Sequence, residues 1–243
     1  MNLLAFDTST EILSIALGRD LRGSGRVWQH TGAGAAQASA TLLPALQVLM
    51  DQAGLRFGQL DAIAFGRGPG SFTGLRTACA VAQGLAFGGG ARAGRRQGLP
   101  LLPIDTLLAV AEEARERQGA TRVVALLDAR MAQVYASSYE YAAGRWTQRS
   151  EPALLSPDQI ELEPGWTLAG NVFAAYGERL PPGAARIEAL PTAAALLRLA
   201  PALLDAGLGV SAEQALPLYI RDKVAQTTEE RAADKAARQA IAL

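Results

Sequence analysis

Leu3-Leu4-Ala5-Phe6-Asp7-Thr8-Ser9-Thr10-Glu11-Ile12-Leu13-Ser14-Ile15-Ala16-Leu17 is the stretch on which the fold turns. Leu3 to Phe6 is an apolar run of strand length that ends on an acid, and Thr8-Ser9-Thr10 supply turn residues. From Ile12 the chain alternates, with Leu13, Ile15 and Leu17 on one face, so the pattern predicts a hairpin of strand, acidic turn and strand. Almost half a chain later the pattern returns. Val123 to Leu127 reads as a buried strand ending on Asp128, Ala129-Arg130-Met131 makes the turn, and Val134 to Tyr139 alternates again. Two readings fit: two similarly built halves that open alike, or a coincidence between two ordinary hairpins.

Outward from the first hairpin the period changes. Leu42, Leu43, Leu46, Leu49, Met50 and Ala53 recur at helical spacing and Gly54 ends the run, with Pro44 acceptable only in a first turn. Asp61 to Phe65 predicts another strand. A helix from Phe72 follows, carrying Leu75, Cys79, Ala82 and Leu85 on one stripe and ended by Gly88 to Gly90. Thr106 is placed to cap a third helix reaching about Arg117. Alternating helices and strands define an α/β layer architecture. Glu151 to Pro191 is rich in Pro and Gly and is the least legible stretch; Thr192 to Ala206 reads as a helix, and Leu216 to Ile220 as a short strand or extended segment. The tail carries Thr227-x-x-Glu230, a capping-box pattern, ahead of an Ala-, Arg- and Lys-rich end with a solvated face.

Composition excludes several function classes. The 243 residues are about half apolar, enough for one large core or two modest ones, and 23 Lys plus Arg balance 23 Asp plus Glu. With no net charge there is no field to gather a phosphate backbone, so tight unaided binding to nucleic acid is not expected. No apolar run approaches the roughly 20 residues of a membrane span. The N-terminus has no basic region before Asp7, and the expected compartment is the cytoplasm. His30 is the single histidine, read as a turn residue, so no two-histidine metal site and no charge-relay triad can be assembled. Ser9 and Ser71 have no evident activating base, and the single cysteine, Cys79, reads as a small buried hydrophobe.

Chemistry is left with two places. The loop Gly66-Arg67-Gly68-Pro69-Gly70-Ser71-Phe72-Thr73-Gly74 lies between a strand and a helix, where backbone amides can cradle phosphate, with Ser71 as N-cap. It lacks the Gly-Lys-Ser/Thr of a P-loop, and the rival reading is a tight connection. Asp7 with Thr8 and Ser9 offers oxygen ligands for a magnesium-bound phosphate, or else simply bonds its own turn amides. Asp7, Gly68, Gly70, Ser71 and Thr73 are therefore the nucleotide-contact candidates.

The eleven residues Gly66 to Arg76 resemble the signature of the TsaB (YeaZ) family. They stand with Leu4-Ala5-Phe6-Asp7-Thr8-Ser9, with Asp128-Ala129-Arg130-Met131-Ala132-Gln133-Val134-Tyr135, similar to the family's mid-chain motif, and with Pro217-Leu218-Tyr219-Ile220-Arg221, similar to its C-terminal one. Four motifs in family order span nearly the whole chain. The resemblance implies a two-lobed actin-like ATPase superfold, with an N-terminal lobe over 1-105, a C-terminal lobe over 106-220, and a tail over 221-243 that packs on the N-terminal lobe. It implies a catalytically silent subunit of the machinery that makes threonylcarbamoyladenosine in tRNA. Such a subunit pairs with TsaD, works with the ATPase TsaE, meets tRNA through the complex, and closes a homodimer when alone. The relative TsaD holds its catalytic metal on a His-x-x-x-His motif, whereas the matching Ala35 to Leu42 here has no histidine. No tightly bound cofactor is expected of the isolated chain; the glycine loop can help frame ATP or ADP in the complex. Leu42, Leu46, Leu49, Met50, Leu75 and Leu85 are the expected partner-binding residues, since the two helices carry more apolar side chains than one core face consumes. A rival from another class is an active ATP-dependent small-molecule kinase of the same superfold.

Overall fold

The computed structural model describes residues 1–34, 37–92, 94 and 98–221. β1 (Leu3–Asp7), β2 (Ile12–Arg19) and β3 (Arg26–Ala33) form an antiparallel meander. α1 (Ala38–Ala53) leads to β4 (Ala62–Gly68) and α2 (Phe72–Arg92) to β5 (Leu101–Asp105), which join in parallel beside β1 in the order β3-β2-β1-β4-β5. α3 (Thr106–Gln118) then crosses to a second sheet.

That sheet repeats the first strand for strand. β6 (Arg122–Arg130), β7 (Gln133–Ala142) and β8 (Arg145–Gln148) are the meander, and β10 (Thr167–Gly170) and β11 (Ala185–Glu188) the parallel pair, in the order β11-β10-β6-β7-β8. The three residues of β9 (Ala153–Leu155) stand where the first half has α1, and the four-residue α4 (Phe173–Tyr176) where it has α2. The chain ends its regular structure with α5 (Ala193–Asp205), capped by the Thr192 hydroxyl accepting from the Ala195 amide at 3.1 Å. The echo between the hairpins is thus a repeated topology, not a coincidence.

Four apolar clusters stack through the molecule. Leu13, Ile15 and Leu17 meet Leu42, Leu46 and Leu49 of α1 and Ala78 and Ala82 of α2 on one side of the first sheet. Leu3, Ala5 and Ala64 meet Leu196 and Ala200 of α5 on the other. α3 covers the second sheet through Leu107, Val110 and Ala114 against Val123, Ala125 and Leu127, and β9, β10 and α4 enclose the last cluster. α3 and α5 therefore lie between the sheets, and a polar network ties them. Arg198 donates to Glu112 at 2.9 Å and Glu113 at 2.7 Å, and Trp146 Nε1 to Glu112 at 2.9 Å. Burial alone would raise the Glu112 carboxyl, but hydrogen bonds from Arg115, Trp146 and Arg198 outweigh it and hold the group below its ordinary range.

Several expectations need correcting. Pro44 is in the second turn of α1, tolerated because the unserved Ala40 carbonyl is on the exposed side. Gly88 to Gly90 do not end α2. A Cβ at Gly90 would stand 2.2 Å from the Gly98 Cα, so the glycine lets the returning chain cross the helix closely. Thr106 does not cap α3: Asp105 holds the N-cap position, and the Thr106 hydroxyl accepts from the Gly68 amide at 3.0 Å. His30 lies in β3, an exposed edge strand, rather than in a turn. Residues 216–220 form an irregular extended segment. The capping-box pattern at Thr227 and Glu230 lies outside the described residues.

Candidate functional site

The two hairpin turns face each other across a cleft of about 360 Å³ between the halves. Ser9, Thr10 and Glu11 line one side, Asp128 to Met131 with Tyr135 and Asn171 the other, Pro69 to Phe72 the floor, and Leu218 to Arg221 one edge. All four sequence motifs contribute to this lining: the first three at the ends of β1, β4 and β6, the fourth through the irregular segment at Leu218 to Arg221. Glu11 and Arg130 form an ion pair across the gap. Asp128 accepts from the Arg130 amide at 2.8 Å and the Tyr176 hydroxyl at 2.9 Å.

Asp7 does not face this cleft. It is fully buried, and its Oδ1 accepts from the Ser9 amide at 2.9 Å and the Ser9 hydroxyl at 2.6 Å. Oδ2 has no hydrogen-bond partner and lies against Gly66, where a Cβ would stand 1.7 Å away. Burial pushes the carboxyl up to about 6 against the pull of the two Ser9 bonds. Among the described residues its second oxygen is unpartnered and set against Gly66, which weighs against the magnesium reading. The turn-bonding reading holds.

The glycine loop is likewise filled from within. A Cβ at Gly70 would meet the Ser9 carbonyl oxygen at 2.6 Å, and one at Gly74 the Thr8 carbonyl oxygen at 1.8 Å. The Ser71 amide donates to the Ser9 carbonyl at 2.7 Å, and the Thr8 hydroxyl to the Gly74 carbonyl at 2.7 Å. Gly68 has a positive φ of 121°, and its Cβ would meet the Leu218 carbonyl oxygen at 2.5 Å. These glycines permit close packing of the first hairpin turn, α2 and the C-terminal segment. Ser71 sits at the start of α2, with the Gly74 amide 3.5 Å from its hydroxyl, and Thr73 is exposed in the first turn.

Leu42, Leu46, Leu49, Met50 and Leu75 are 0 to 3% exposed; the first four belong to the first cluster, with Leu85 partly buried against it, and Leu75 lines the cleft. Their expected role as partner-binding side chains is corrected: a helix on a sheet turns its regular stripe inward. The outward faces of the same helices carry Leu43 and Val48 of α1 and Phe87 of α2, the last 75% exposed. Leu43, read from the sequence as part of the stripe, turns outward instead, and Val48 stands outside the stripe's spacing, which was the available signal. Cys79 is buried as expected, donating to the Ala215 carbonyl at 3.0 Å, and burial pushes its thiol up. Arg130, Tyr219 and Arg221, members of the quoted motifs but not expected as site residues, line the cleft, and Arg76 bonds Tyr219 beside it.

Two lobes of one repeated α/β topology, each opening with a strand–Asp–turn–strand unit around a central cleft, define the actin-like class of fold. A family model described as TsaD: tRNA N6-adenosine threonylcarbamoyltransferase matches residues 33–242. The chain is 33% identical over 235 residues to the tRNA threonylcarbamoyladenosine biosynthesis protein TsaB of Escherichia coli, covering 93% of this chain and 96% of that protein. Against the same-named protein of Haemophilus influenzae it is 35% identical, covering 92% and 95% respectively. YeaZ from Pseudomonas aeruginosa superposes with a TM-score of 0.80 at 40% identity, over 90% of this chain and 99% of that one. The chain belongs to the TsaB (YeaZ) family.

Proposed function

We propose that this chain is the non-catalytic subunit of a cytoplasmic complex that places threonylcarbamoyl on the tRNA adenosine beside the anticodon, pairing with a TsaD homologue and a TsaE ATPase. Family membership supplies the pathway. The observation that supports silence is the self-filled loop: Thr8 and Ser9 occupy the space over Gly70 and Gly74 that a phosphate chain would need, and Asp7 is buried behind them. The kinase reading loses its ligand set by the same packing.

The outer face of α1 and α2 supports the pairing. Leu43, Val48 and Phe87 are large apolar side chains left in water on adjacent helices, which suits a partner helix better than solvent. The same face serves for a homodimer when the partner is absent. Val48→Arg is expected to keep the circular dichroism spectrum and to abolish co-elution with the TsaD homologue on gel filtration; unchanged co-elution would move the interface elsewhere. Titration calorimetry of Mg-ATP into the isolated chain is expected to give no heat, and tight binding would revive the kinase.

A further inference from the structure

Two of the sequence motifs meet at a place that the proposed function leaves unused. Phe72 and Arg76 lie in the glycine-loop motif, and Tyr219 and Arg221 in the C-terminal one. The Phe72 and Tyr219 rings pack with centroids 5.4 Å apart and planes tilted by 38°. The Arg76 guanidinium sits 3.9 Å over the Phe72 ring, and its Nε donates to the Tyr219 hydroxyl at 3.1 Å. Arg221 reaches the Ala129 carbonyl at 2.9 Å and the Met131 sulfur at 3.4 Å.

Charge sets this cluster apart from its surroundings. Nearby, Arg67 is paired with Asp105, and Arg130 with Glu11 and Asp128. Among the described residues neither Arg76 nor Arg221 has a carboxylate partner; their hydrogen bonds go to a phenol, a carbonyl and a thioether. Two cations with no carboxylate partner among the described residues therefore flank two rings that stay 39% and 44% exposed. The start of α2 adds the positive end of a 21-residue helix to the same spot. Tyr, Phe and Arg are common to protein and RNA interfaces; what favours RNA here is that neither arginine has a carboxylate partner among the described residues. Rings with an open edge or face between unpaired arginines suit a base stacked out of a helix and the phosphates on either side of it.

We propose that Phe72, Arg76, Tyr219 and Arg221 form a contact for single-stranded RNA, the rings stacking an unpaired base and the arginines neutralising adjacent phosphates. The inference rests on the reading of the chain as a subunit of a tRNA-modifying complex, and it adds a direct contact to that reading. A chain without net charge binds RNA weakly on its own, so the contact orients an RNA that a partner also holds.

The test uses the full chain, alone and paired with the TsaD homologue, and a labelled tRNA anticodon stem-loop followed by fluorescence anisotropy through a salt series. Tyr219→Ala is expected to weaken binding about tenfold through lost stacking. Arg76→Gln is expected to lower the slope of log affinity against log salt by about one. Thr73→Glu guards against a Tyr219→Ala chain that fails to fold. It puts an acid in the first turn of α2, which favours the helix, while repelling phosphate, so the fold should persist and RNA affinity fall. In the complete complex these variants should raise KM for tRNA and leave kcat unchanged. Native dichroism with unchanged RNA affinity and salt slope in Arg76→Gln and Thr73→Glu would overturn the inference. So would lost pairing with the TsaD homologue at unchanged RNA affinity, which would make the cluster a protein surface. If tRNA is modified equally well without the chain, the proposed function itself fails; if the chain is required but the variants are silent, only the RNA contact fails.

Discussion

The two lobes share a strand order and differ in what surrounds it. In the first lobe the opening strand ends on Asp7, which is wholly buried and bonded only within its own turn; in the second it ends on Asp128, whose side chain is 17% exposed and served by Arg130 and Tyr176. The first lobe has the long helices α1 and α2, with 16 and 21 residues, where the second has a three-residue strand and a four-residue helix. One scaffold has thus been used twice: once with a closed, tightly packed turn and two helices free to meet a partner, once as a smaller lobe closing the other side of the cleft.

The comparison can be broken at chosen points. The largest effect is expected from Leu46→Arg, which buries a charge in the cluster that only the first lobe possesses; it should cost more than about 4 kcal/mol and leave no cooperative thermal transition. A native melt would mean that α1 is not integral to the lobe. Arg198→Ala cuts the network between α3 and α5 that joins the lobes. Arg115 still serves Glu112, and Arg117 and Thr192 still serve Glu113, so the expected cost in urea unfolding is about 2 kcal/mol, that of charged hydrogen bonds lost without an orphaned carboxylate.

The buried carboxylate gives a pH signature. The folded state holds the Asp7 proton up to about pH 6, above the unfolded value of 3.8, so the folded chain binds more protons in between. Stability contributed by protonated Asp7 is present below that window and is lost as pH rises through it. Asp7→Asn removes the titration, and at pH 8 it should be more stable than the parent by about 2 kcal/mol, with the difference gone by pH 4. A parent and variant that differ equally at both pH values would contradict the assignment. Asp128→Asn in the second lobe should change stability by less than about 1 kcal/mol, because it loses an ion pair with a largely exposed arginine. A large loss there would erase the contrast between the two turns.

Much of this was legible from residues. The hairpins, the helix ending at Gly54 and the helix from Thr192 follow from local periodicity and turn chemistry, and the repeat was one of two readings of the hairpins. What sequence did not reveal is tertiary. Gly90 reads as a helix terminator until the chain at Gly98 is seen crossing it, and Asp7 reads either as a ligand or as a turn residue until Gly66 is seen closing over it. The stripe of Leu42, Leu46 and Leu49 had the spacing of a core face, so assigning it to a partner overrode the better local signal. The cluster at Arg76 and Tyr219 joins residues 143 positions apart, and no local pattern could bring them together.

The most direct measurement is reconstituted threonylcarbamoylation of tRNA with the TsaD homologue, TsaE and the adenylate-forming enzyme, with and without this chain. Modification that requires the chain, and that never appears with it as the sole transferase, is the predicted result. Equal modification in its absence, or transfer by the chain alone, would contradict the account.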